Sequence, residues 1–162
     1  MIERQREAVA GALAYFEGCD DLMLLHRLVG EIAPRARKAV AKLIASNGDD
    51  GVPPPADLRA AKVALSAAEA LATLRATNDF ALLQVMARAI GRRVEDLETV
   101  ASADFSEGSR VIVPTKVAYP PAPNAPTAAG VVERTGTWLA VLLDNGETWE
   151  GPPSLAQKGR IA

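Results

Sequence analysis

Apolar positions recur at spacings of three and four as far as Ser102, and in short β-branched runs beyond Gly108. The first spacing belongs to helices and the second to strands, so the pattern predicts a helical part followed by a sheet. Ile2, Val9, Leu13 and Phe16 share one side of a helix over residues 2–17, with charged residues elsewhere. Gly18 ends it, and Asp20 or Asp21 caps the next. The second helix has an unusually wide stripe, Leu22, Leu25, Val29 and Ile32 broadened by Leu24 and Leu28, and this is the predicted protein–protein face. Pro34 should restart or kink it, because proline has no N–H to donate. A third helix then carries Ala36, Val40, Leu43 and Ile44 inward. Residues 46–55, dense in Gly, Asp and Pro, read as a loop. A fourth, alanine-rich helix is predicted over 57–76. A fifth starts at Asn78-Asp79 and carries Phe80, Leu83, Ala87, Ile90, Val94 and Leu97, with a break at Gly91 allowed.

Past residue 102 the pattern changes. Arg110-Val-Ile-Val113, Gly130-Val-Val132, Trp138 to Leu143 and Thr148-Trp149 read as strands. Asp144-Asn145-Gly146 predicts a two-residue hairpin turn in which Asn and Gly take left-handed angles. Across that hairpin Trp138 and Trp149 are expected to face each other. The proline-rich segment 119–126 is either a polyproline-like arc or a linker.

A glycine before the first strand, another opening the second, and an Asp-x-Gly corner before the last give the C-terminal third its order. That order resembles small SH3-like barrels of the KOW and Tudor kind. The resemblance implies an SH3-like antiparallel β-barrel over 103–162; with the helical bundle that the apolar spacing predicts over 1–102, the chain is expected to be α+β. It also implies binding rather than catalysis, with Tyr119, Trp138, Asp144, Glu147 and Trp149 as ligand contacts. An aromatic cage over a cation would use them; the alternative is that the tryptophans only close the core. Separately, Leu83 to Leu97, containing Ala-Arg-Ala-Ile-Gly91, resembles the closing helices of phage-repressor-type helix-turn-helix domains. An amphipathic helix with a glycine stop spells the same letters.

Composition narrows the function. The 162 residues are 49 % hydrophobic but only 4 % aromatic, so alanine-rich helices must approach closely around a thin core. A net charge of −2 points to no particular partner. The single cysteine excludes an internal disulfide and suits a reducing, cytoplasmic setting, and no apolar run approaches the roughly 20 residues of a membrane span. The lone histidine, His26, lies seven residues after Cys19, but nothing nearby completes a zinc site. No Walker loop, dinucleotide fingerprint or nucleophile elbow occurs. The chain therefore reads as a non-enzymatic interaction or adaptor protein without metal or cofactor, binding a protein partner or a second copy of itself. The alternative is a nucleic-acid-binding regulator contacting phosphates through Arg35, Lys38 and Lys42, or through Arg88, Arg92 and Arg93. A small enzyme is the third class, and it lacks a visible reactive centre.

Overall fold

A computed structural model describes residues 2–47, 56–118 and 124–159. The chain is α+β and divides into two compact units, Met1–Arg93 and Val94–Ala162. The helices are α1 (Ile2–Gly18), α2 (Leu22–Asn47), α3 (Ala67–Ala76) and α4 (Phe80–Ser102). The strands are β1 (Arg110–Pro114), β2 (Thr127–Arg134), β3 (Leu139–Leu143), β4 (Thr148–Gly151) and β5 (Gln157–Lys158), with a 3₁₀ turn at Pro153–Leu155. No helix among the described residues is long and apolar enough to cross a membrane.

In the helical unit the stripes meet as their spacing demands. Val9, Leu13 and Phe16 of α1, Leu25, Leu28 and Ile32 of α2, Leu74 of α3, and Leu83, Met86 and Ile90 of α4 are all buried. Asp21 caps α2 by accepting from the Leu24 N–H at 3.1 Å, and Asp79 caps α4 by accepting from Leu82 at 3.0 Å. The helix does not restart at Pro34, and the break allowed at Gly91 does not occur: α2 runs unbroken through Pro34, and α4 through Gly91. Four residues before the proline stands Gly30, exposed and without a side chain, so the carbonyl that loses its donor lies at a solvated position.

The helix predicted over 57–76 is half the expected length. Residues 56–65 form a non-helical strap along α1 instead: the Ala61 and Leu65 N–H groups donate to the carbonyls of Ala10 and Gly11 at 2.9 and 3.1 Å. The strap comes so close that a Cβ on Gly11 would lie 2.7 Å from Leu65 Cγ. Helix propensity in this alanine-rich stretch yields to that docking. α3 starts where Ser66 accepts from the Glu69 N–H at 3.3 Å, in the Ser-x-x-Glu arrangement of a capping box.

The second unit holds an antiparallel sheet in the order β4-β3-β2-β1-β5. It is not closed into the expected barrel: β4 and β5 end the order unpaired with each other, and β5 is two residues long. Val111, Val113, Val132, Leu139, Val141, Leu143 and Trp149 form its core, with Phe105, Ala128 and Ala156 packed against them. Gly130 is obligatory, because a Cβ there would stand 2.4 Å from the Leu142 carbonyl oxygen.

The hairpin turn also differs from expectation. Only Gly146 takes a left-handed angle (φ 89°), while Asn145 does not. Gly146 donates to the Leu143 carbonyl at 2.9 Å and Leu143 to that of Glu147 at 2.8 Å. The loop is therefore three residues long, an ordinary turn followed by a glycine bulge.

Removing the Ser66 hydroxyl (Ser66→Ala) should cost about 1 kcal/mol of stability, read as a lower denaturant midpoint. A glycine-to-alanine change at Gly130 should cost considerably more than that in the same measurement.

Candidate functional site

In the sheet, alternation decides which side chains are available. Register pairs Val141 with Trp149 and Leu139 with Gly151 on the core face. Successive residues of a strand point to opposite faces, so Ala140 and Leu142 belong to the outer face; Trp138, in the bend just before β3, is set outside the core by its exposure. Trp138 is 54 % exposed and Leu142 42 %, whereas Trp149 is 6 % exposed. The two tryptophans thus lie on opposite faces and form neither the expected cross-strand pair nor two walls of one cage. Trp149 is a core residue. Its indole N–H donates to the Pro114 carbonyl at 2.9 Å, and its ring covers Gly151, where a Cβ would meet it at 2.5 Å.

The outer face is laid out in rows across the strands. Arg110, Val131, Leu142 and Thr148 form one row, and Arg134, Ala140 and Glu150 the next, with Trp138 beyond. Arg110 reaches across β2 to Asp144, donating from its two terminal nitrogens to the two carboxylate oxygens at 2.7 and 2.8 Å. This fork-to-fork contact holds the Asp144 carboxyl below its ordinary range, and it raises the Arg110 guanidinium in turn. Arg134 meets Glu150 at 3.6 Å over the small side chain of Ala140. Val131 and Leu142 thus lie between the two ion pairs, and the Arg134–Glu150 pair separates them from Trp138. Glu147 takes part in the turn, its backbone N–H donating to Asn145 Oδ1 at 2.9 Å. Tyr119 lies outside the described residues.

One buried acid escaped the reading of the sequence. Glu98, 1 % exposed, accepts from the Ser154 N–H at 2.9 Å and from the Ser154 hydroxyl at 2.5 Å. A carboxylate taken out of water needs such donors, and these fasten the 3₁₀ turn between β4 and β5 to the last turns of α4. The available signal was the four-residue spacing Ile90, Val94, Glu98, which sets the acid on the buried stripe of α4.

The helical candidates separate by what they touch. Leu25, Leu28 and Ile32 are inside the helical unit, Leu22 and Leu24 are half-buried, and only Val29 of the predicted interface stripe is exposed. Arg35 donates to the carbonyls of Leu74 (2.5 Å), Arg75 (2.9 Å) and Thr77, closing the C-terminal end of α3. Arg93 donates to the Cys19 carbonyl at 2.7 Å and pairs with Asp20. Lys38, Lys42, Arg88 and Arg92 are exposed.

One turn before Arg35, Glu31 pairs with Arg75 at 2.8 Å, and that hydrogen bond keeps its carboxyl below the ordinary range. Cys19 is buried, its sulfur 3.9 Å from the Tyr15 hydroxyl. Burial first, and then Cys19, raises the Tyr15 phenol above its usual value. His26 is half-buried on α2. No group of three or more His, Cys, Asp or Glu placed to hold a metal occurs among the described residues.

Comparison of the chain with protein-family models, curated proteins and solved structures finds no match.

Two outcomes follow from the ion pair and the buried acid. Asp144 is lowered in the folded state, so its contribution is present above the unfolded carboxylate value of about 4 and is lost as pH falls through the lower folded value. Asp144→Asn should therefore lie below the wild type in denaturant midpoint at neutral pH, with the gap closing in acid. Glu98→Ala strands the Ser154 donors and should cost about 3 kcal/mol, while Glu98→Gln, which keeps an acceptor, should cost less. Trp149 fluorescence during unfolding reads both.

Proposed function

We propose that this chain is a non-enzymatic interaction protein whose second unit binds a protein partner on the outer face of its sheet. The observation that carries this reading is Trp138, more than half exposed, with Leu142 also exposed on the other side of the Arg134–Glu150 pair. Exposed tryptophan beside aliphatic residues, rimmed by charged pairs, is the layout of an interface: apolar centre, polar edge, aromatic anchor. Arg110–Asp144 supplies such an edge, and Arg134–Glu150 lies as a charged pair between Leu142 and Trp138, within reach of a partner seated on both.

The strand order, and a 3₁₀ turn between β4 and β5, support reading the sheet as an SH3-like module. Such modules serve as binding platforms, though fold alone does not assign a ligand. The α2 stripe is the weaker docking surface, because its central leucines are already buried within the helical unit.

Chemical cross-linking in extract of the native cell tests the proposal. The wild-type chain should yield a discrete cross-linked protein species. Trp138→Ala should weaken that capture about thirtyfold, matching the roughly 2 kcal/mol carried by an anchoring tryptophan, and Leu142→Glu should abolish it. A species captured equally by all three chains, or none captured by the wild type, contradicts the assignment.

A further inference from the structure

Between α2 and the start of α4, the helical unit has a hollow of about 380 Å³ lined by Arg35, Lys38, Ala39, Lys42, Asn78 and Leu83. We propose that this hollow binds a small phosphate monoester, with Lys38 and Lys42 contacting the phosphate and Asn78 donating a further hydrogen bond. The site lies in a different unit from the sheet face, and neither assignment depends on the other.

The lining decides the chemistry. Lys38 and Lys42 stand four residues apart on α2, on one helix face, where like charges repel. A dianion between them turns that repulsion into attraction. Arg35 adds charge, with three of its five N–H groups turned to the carbonyls of Leu74, Arg75 and Thr77. No carboxylate is among the described lining residues. Asp79, next to Asn78 in the chain, is engaged as the cap of α4 through its bond from Leu82.

Ala39 and Leu83 give the hollow an apolar wall, which suits the organic part of an ester better than a bare ion. The volume falls within the range of small-molecule sites, roughly 300–1,000 Å³. The exposed Arg88 and Arg92 are not among the described lining residues, so the hollow draws the cations described there from α2 alone.

The test is an amide NMR titration of the full chain with phenyl phosphate, against sodium chloride at matched ionic strength and against a single-stranded oligonucleotide of about ten nucleotides. Phenyl phosphate should shift the amides of Lys38, Lys42, Asn78 and Leu83 and reach saturation. Lys38→Ala/Lys42→Ala, both surface changes whose remaining spectrum reports an intact fold, should weaken binding about tenfold or more. Inorganic phosphate should bind at the same amides but more weakly, for want of the apolar wall contact. Three results overturn the proposal: shifts that chloride reproduces, binding that survives the double change, or no saturation. Tighter binding of the oligonucleotide, with shifts spreading to Arg88 and Arg92, overturns it too, by reassigning these cations to a nucleic-acid surface.

Discussion

The second unit depends on a parity constraint. In a paired strand every side chain is committed to one face or the other, and a register change of one residue exchanges the two sets. Here the register is held by Gly130, whose missing Cβ lets β2 pass against the Leu142 carbonyl, and by the glycine bulge at Gly146. With those in place, Val132, Leu139, Val141, Leu143 and Trp149 can only be core, and Val131 and Leu142 can only be outside, with the exposed Trp138 just before β3. The proposed interface is the complement of the core.

Polar contacts then fix what apolar burial leaves loose. In the helical unit, Glu31 and Arg35, one turn apart on α2, hold the C-terminal end of α3, one through the Arg75 side chain and the other through backbone carbonyls. In the second unit, Glu98 holds the 3₁₀ turn through Ser154. The Arg35 and Glu98 contacts give backbone groups the partners they would otherwise seek in water. Arg35 and Arg93, which look like phosphate-binding cations in the sequence, are engaged in this way, and the basic surface is smaller than the count of cations suggests.

Periodicity alone made the helix stripes, the caps at Asp21 and Asp79, and the change from helix to strand beyond Ser102 legible. Less legible was anything set by a distant partner. The strap at 56–65 looks helical because its letters favour helix, and only docking against Gly11 overrides them, although Ser66-x-x-Glu69 marked the true start of α3. A restart at Pro34 and a break at Gly91 were open in the sequence because local propensity ignores the packing on either side of them. The expected tryptophan pairing missed by three positions: the register sets Val141 opposite Trp149, and a two-residue turn at Asn145-Gly146 would itself have set Leu142 there. Glu98 was hidden because its identity says surface while its spacing says core.

The most direct test of the two-faced sheet is iodide quenching and near-ultraviolet circular dichroism of the wild type beside Trp138→Phe. The account predicts a strongly quenched component in the wild type that disappears in the variant, leaving blue-shifted emission from Trp149 that iodide barely reaches. It also predicts no exciton couplet between the two indoles. A couplet in the wild type, or red-shifted and fully quenchable emission in the variant, would place both tryptophans on one face and contradict it.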